Sequence, residues 1–216
     1  MSTLLSDLRV IDLTDDSGEA AGRVLADLGA EVIKVEPPSG CASRHRGASD
    51  TDGTSFHWRV WGRGKRSVVL DLRTADGIDA LHRLLASADI LLETATSAER
   101  TAWGINAADV SDAYPRLVHV SITPFGATGP LADAPATDMT LSAAGGFLNH
   151  QGDRDRPPLP IGFPETANHG AVQAAADAIT AIYERERSGL GQHLDTSMQA
   201  AVVGTLLWTC LLYTSD

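Results

Sequence analysis

The stretch RVIDLTDDSGEAAGRVLADLGAEVIKVE, residues 9–36, decides the fold. Arg9-Val10-Ile11-Asp12-Leu13 is short and mostly apolar, the pattern of a buried strand. Residues 17–28 then change period, with Ala21, Val24, Leu25 and Leu28 on one helical face. Gly29 stands where a helix commonly ends on a left-handed residue. Residues 31–36 make a second strand, stopped by Pro37-Pro38. Strand, helix and strand in such close succession form a βαβ unit, and its two strands are parallel.

The alternation continues outward from there. Residues 67–72, 89–93, 117–123 and 192–197 read as further strands. Residues 76–86 read as a helix with Ile78, Leu81, Leu84 and Leu85 inward. Residues 166–187 read as a long helix whose apolar stripe is Val172, Ala175, Ala176, Ile179, Ile182 and Tyr183. Residues 39–64 and 124–164 read as long loops. The fold class is α/β, with a mostly parallel sheet. An apolar helix starts at residue 199, and the closing CLLYTSD, residues 210–216, reads as foreign sequence after a helix cut short. The expected organisation is one large domain over residues 1–203 and a truncated helix with a non-native tail over 204–216.

A formal net charge of -11 disfavours nucleic acid as a partner, because phosphate backbones need a basic face. A local basic pocket for a small anion remains compatible with it. Cys41 and Cys210 form no CxxC and no zinc spacing, which suggests a reducing compartment. The N-terminus carries no signal-peptide core, and the apolar run 200–212 is too short to span a bilayer. The expectation is a cytoplasmic protein with no membrane partner.

The turn Thr14-Asp15-Asp16-Ser17-Gly18-Glu19 has no GxGxxG and carries three acids, a poor seat for a dinucleotide. No GxxxxGK[ST] and no GxSxG occurs, and His150, His169 and His193 show no metal-ligand spacing, so no metal is expected. Two clusters remain. Arg63-Gly64-Lys65-Arg66-Ser67, with Arg44 and Arg46 upstream, is either a grip for the phosphates of a nucleotide-like ligand or a solvated turn. Glu165 and His169 lie four apart at the start of the long helix. They are either an acid–base couple or a first-turn carboxylate favoured by the helix dipole, with a neighbour.

Five segments carry a resemblance in order and spacing: LSDLRVIDLT (5–14), LADLGAEVIKVEPPSG (25–40), GRGKRSVVLDLRTADG (62–77), AYPRLVHVSITPFGATGP (113–130) and YERERSGLGQHLDTSMQAA (183–201). Together they resemble the family III CoA-transferases, which include formyl-CoA and carnitinyl-CoA transferases and 2-methylacyl-CoA racemase. The resemblance implies a Rossmann-like large domain, a small domain that this chain lacks, and two chains interlocked as a homodimer. It implies coenzyme A as ligand, with an acyl-CoA and an organic acid as partners. An aspartate carboxylate attacks the thioester in that family, and backbone N–H groups in glycine-rich loops stabilise the oxyanion.

The chain departs from the pattern at three places. The aspartate's position falls on Ala167. The family's Asn-Phe-Arg-Pro-Gly after the fourth strand is Thr94-Ala95-Thr96-Ser97-Ala98. The first βα loop has Gly18-Glu19 for the family's Gly-Pro. The candidate CoA contacts are Arg44, Lys65, Arg66 and Arg73, by charge and position. Gly145 and Gly146 offer close backbone approach to the thioester, or form an ordinary turn. Glu165 and His169 are the candidates for catalysis. Two functions follow: a CoA-transferase or acyl-CoA racemase, or a catalytically silent half that supports a partner half.

Overall fold

A computed structural model of the protein describes residues 4–153 and 155–206. Among them, one sheet holds β1 (Arg9–Leu13), β2 (Glu31–Glu36), β3 (Lys65–Val69), β4 (Ile90–Glu93), β5 (Val118–Thr123) and β6 (His193–Ser197). The spatial order is β3-β2-β1-β4-β5-β6, and every neighbouring pair is parallel. The helices are α1 (Glu19–Asp27), α2 (Phe56–Trp61), α3 (Ala75–Leu85), α4 (Ser97–Trp103), α5 (Ala107–Ala113), α6 (Asp138–Ala144), α7 (Glu165–Ser188) and α8 (Met198–Gly204). None of them is long and apolar enough to cross a membrane.

Successive residues of the central strands enter two different cores, which is why the strands read as continuous apolar runs. Val10, Ile90, Leu92, Val118 and Val120 pack on one face with Leu25 of α1 and the alanines of α7. Ile11, Leu91 and Val35 pack on the other face with Leu81 and Leu85 of α3 and Val110 of α5. The chain winds outward from β1 through β2 to β3, then returns to lay β4 on the other side of β1. The loops leaving β1 and β4 therefore diverge, and a crevice opens beyond the carboxyl ends of these strands.

Several sequence expectations are corrected. The third strand starts at Lys65 and ends at Val69, because pairing with β2 begins at Val32↔Lys65. The Leu70 N–H makes a last bond to the Glu36 carbonyl of β2, and the chain then turns on Asp71, whose carbonyl accepts from the Thr74 N–H. The two long loops contain α2 and α6, and α4 and α5 also went unread. The stripe of α7 differs too. Thr166, Ala167, Gly170, Ala171, Ala174, Ala175, Ala178, Ala181 and Arg185 are buried, whereas Val172 and Tyr183 stand 50% and 72% exposed. Small residues face the core because α7 lies close to its neighbours: a Cβ on Gly170 would come within 2.8 Å of Met198 Cγ. The last helix begins at Met198, one residue early, and ends at Gly204; residues 207–212 of its expected extent lie outside the described residues, as does the 210–216 tail.

Candidate functional site

The loops after β1, β4 and β5 meet α6 and the first turn of α7 around a cleft of about 770 Å³. A second chamber of about 370 Å³ adjoins it and shares Asp15, Asp16, Thr94 and Ala95 with it. The smaller chamber reaches Arg73 after β3 and Trp103 on α4. The lining they share comes from the β1 and β4 loops, where the strand order reverses.

Local chemistry fixes these walls. Asp15 Oδ1 accepts from the Ser17 N–H at 2.9 Å, a turn that leads into α1. The Asp15 N–H donates to Thr94 Oγ1 at 2.7 Å and ties the two loops together. A capping box opens α4: Thr96 Oγ1 accepts from the Glu99 N–H, and the Glu99 carboxylate accepts from the Thr96 N–H. Pro164 gives α7 no side-chain cap, and Asp138 of α6 serves instead. Its Oδ2 accepts from the Glu165 N–H at 3.2 Å and its Oδ1 from the Ala167 N–H at 3.0 Å. A carboxylate at the positive end of a 24-residue helix is favourably placed. Ala167 itself is buried and lines the cleft beside Asp138.

Beneath the β4 loop lies Glu93, fully buried at the end of β4. Its Oε2 accepts from the Ala95 N–H at 2.6 Å. Its Oε1 accepts from the Ser121 hydroxyl and lies 3.4 Å from both Arg100 Nη1 and His119 Nε2. Burial pushes the Glu93 carboxyl up, but His119, Ser121 and Arg100 together bring it below the ordinary glutamate value. His119 lies against His193 with the rings tilted and their centroids 4.7 Å apart, and burial then His119 push His193 down.

The cations expected to contact CoA are spread over several places. Lys65 is buried, with Nζ 2.8 Å from Asp12 Oδ2 and 2.9 Å from the Glu19 carbonyl; as a ligand contact it would first have to leave Asp12. Lys34 Nζ holds the other oxygen of Asp12 at 3.1 Å. Burial alone pushes Asp12 up, and the two ammonium groups pull it far below the ordinary aspartate value. Arg44 grips Glu36 through two bonds of 2.5 and 2.6 Å and stacks on Trp58. Arg66 pairs with Glu31 at the outer edge of the sheet. Arg73 is exposed, held by Asp71 through two 2.8 Å bonds, and is the one of these four that lines a chamber.

Gly145 ends α6 with φ -81, and its missing side chain admits Val202, whose Cγ1 would lie 2.4 Å from a Cβ there. Gly146 follows with φ +81. Neither lines either chamber. Glu165 faces a small groove with Met139 and Phe163, and His169 lies against Phe147, so both turn away from the cleft. The cleft wall instead holds residues that sequence reasoning passed over, Asp138 and Arg100. The signal for Arg100 was the pattern Thr96-Ser97-Ala98-Glu99, a capping box that starts a helix at a strand's end. Among the described residues, no group of three or more His, Cys, Asp or Glu side chains is placed to hold a metal ion.

Two of the three departures from the resemblance meet in one place, and the third, Gly18-Glu19, follows directly on residues of its wall. Asp16 and Ser17 of the first loop, Thr94 to Ala98 of the β4 loop, and Ala167 line the same cleft. Comparison with known proteins bears on what that cleft belongs to. A succinyl-CoA–D-citramalate CoA-transferase of Chloroflexus aurantiacus is 35% identical over 204 residues, covering 94% of this chain and 51% of that protein. A probable CoA-transferase of Mycobacterium tuberculosis, Rv1866, is 38% identical over 205 residues, 91% of this chain but 25% of that protein. The chain therefore spans about half the length of the first relative and a quarter of the second. A CAIB/BAIF family protein from Brucella suis superposes with a TM-score of 0.93 at 32% identity, over 100% of this chain and 58% of that one. The sequence model of CoA-transferase family III matches residues 5–216, and with the sheet order and the relatives this shows that the chain belongs to CoA-transferase family III.

Proposed function

We propose that this chain binds coenzyme A across its two chambers and takes part in moving CoA between an acyl-CoA and a carboxylic acid, or in racemising an acyl-CoA. The observation that carries this reading is the pair of adjoining chambers that share the β1 and β4 loops at the switch point of the sheet. The smaller chamber suits the nucleotide end of CoA, with Arg73 at its wall. The larger one then receives the thioester and the acid beside α7. Family membership supports the reaction class. The free thiol of Cys41 accords with a cytoplasmic setting.

A second reading is that the chain is a silent half that binds CoA and supports an active partner half in which the aspartate is in place. Ala167 in the cleft wall favours it, since alanine carries no nucleophile. So does Rv1866, a relative about twice as long as the others, judged by the quarter against the half that this chain covers. Under the transferase reading, Glu165 with His169 must act from the neighbouring groove. Calorimetry with CoA, followed by transfer assays with acyl-CoA donors and organic acids, tests both. Micromolar CoA binding weakened by Arg73→Ala supports the common part. Turnover abolished by Glu165→Gln and His169→Ala supports the transferase. Binding without turnover supports the silent half, and a folded protein that binds no CoA refutes both.

A further inference from the structure

We infer that Arg100 is the anion-recognition residue of the larger chamber, and that Glu93 and His119 are the residues that position it. The inference rests on the reading above and names the group that would grip the ligand. Two arginines line this cleft. Arg46 sits exposed at the rim, in an ion pair with Asp16. Arg100 differs. Its Nη1 donates to the Ala95 carbonyl at 2.9 Å and faces Glu93 Oε1 at 3.4 Å. Its Nε and Nη2 make no hydrogen bond among the described residues. Neither atom is a buried orphan, so that edge of the guanidinium is open. Nε and Nη2 are one side of the planar fork, the two parallel donors that match a carboxylate or a phosphate.

The side chain is 12% exposed, so most of its desolvation has already occurred in the folded protein, and its direction is set from behind. Glu93 is held by Ala95, Ser121 and His119 as well, so it keeps its place whether or not Arg100 leans on it. Both ring nitrogens of His119 lack a hydrogen bond, and Nε2 lies as close to Glu93 Oε1 as the guanidinium does. The carboxylate is thus shared between an imidazole and a guanidinium. An oxyanion in the cleft takes the open Nε–Nη2 edge, while Glu93 and the Ala95 carbonyl keep Nη1. The shared chemistry is an oxyanion, from either the diphosphate of CoA or the carboxylate of the acid.

The test follows the Arg100 Nε–H resonance of the whole protein by NMR, assigned by its loss in Arg100→Gln. Titrations use CoA, inorganic pyrophosphate, and succinate with and without CoA. A shift with pyrophosphate and CoA assigns Arg100 to the diphosphate, and a shift with succinate assigns it to the acid. Affinity for the responding anion falls at least tenfold in Arg100→Gln. It falls less in Arg100→Lys, which keeps the charge and loses the fork. In Glu93→Gln, which loses the charge that aims Arg100, it falls several-fold and the Arg100 Nε–H resonance of the free protein moves; a purely structural role would leave that resonance in place. Pyrophosphate or succinate binding at Arg100 without CoA binding sustains the inference and sinks the CoA reading. Binding of CoA and of succinate both unchanged in a folded Arg100→Gln overturns the inference and leaves the CoA reading standing. No shift with any of the four overturns it as well.

Discussion

Replacing Lys65 by methionine separates a structural lysine from a ligand contact. In the fold, Lys65 Nζ makes a 2.8 Å bond to Asp12 Oδ2 and a 2.9 Å bond to the Glu19 carbonyl, with both side chains of the pair buried. Methionine fills similar volume, so packing changes little and the charge is the perturbation. Breaking a buried pair by removing one partner costs about 3–5 kcal/mol. Asp12 keeps Lys34 at 3.1 Å and two bonds from Thr14, at 2.9 and 2.6 Å. Glu19, pushed up by burial, can also shed its charge close by. The loss therefore falls at the low end, about 3 kcal/mol, or roughly 6–12 °C in Tm for a domain of this size. Thermal and urea unfolding at pH 7 measure it, and calorimetry with CoA follows on the folded variant. A Tm within about 2 °C of the parent, far short of what this cost implies, would refute the reasoning. So would unchanged stability with tenfold weaker CoA binding, which would make Lys65 a ligand contact.

Three further outcomes are expected. Gly145→Ala forces a Cβ to 2.4 Å from Val202 Cγ1 and costs about 1–3 kcal/mol in urea unfolding, with part regained in the double variant Gly145→Ala/Val202→Ala. Thr96→Ala removes one arm of the α4 capping box and lowers stability by about 1 kcal/mol, with faster amide exchange in the first turn of that helix. Glu36 is pushed up by burial but brought down to about 2 by Arg44, Ser67 and the Cys41 N–H. Its folded value lies below the unfolded one, so its contribution is complete above pH 4.5 and fades as pH falls through about 2. The stability gap between the parent and Glu36→Gln, about 3 kcal/mol at pH 6, should shrink steadily between pH 5 and pH 2.

The sheet was largely legible because its central strands are buried on both faces and read as apolar runs, as Val10-Ile11 and Leu91-Leu92 do. The short helices were not. Residues 97–103 and 107–113 carry few apolar positions, and caps and chain reversal define them more than periodicity does. The face of α7 was misread for a related reason. Counting large apolar residues finds Val172 and Tyr183, but a helix lying close on a sheet buries its smallest side chains. At the site, the loops that depart from the resemblance could be located, because strand ends fix where loops emerge. The partners of the cations could not. Nothing near Lys65 in sequence announces Asp12, which lies 53 residues earlier, and nothing near Arg100 announces His119 on the next strand.

The alanine face of α7 also sets how this protein can change over evolution. Ala171, Ala174, Ala175 and Ala178 have no rotamers, so the helix seats in one way and loses no side-chain entropy in doing so. Its first turn is a rigid wall of the cleft. Position 167 can therefore exchange one chemistry for another without moving the scaffold, and an aspartate there would point into the cleft beside Asp138. Enlarging an alanine further along the helix would displace that whole wall at once. Gain and loss of a nucleophile are single-step changes in this architecture, whereas the geometry that would present one is held by a face that tolerates almost none.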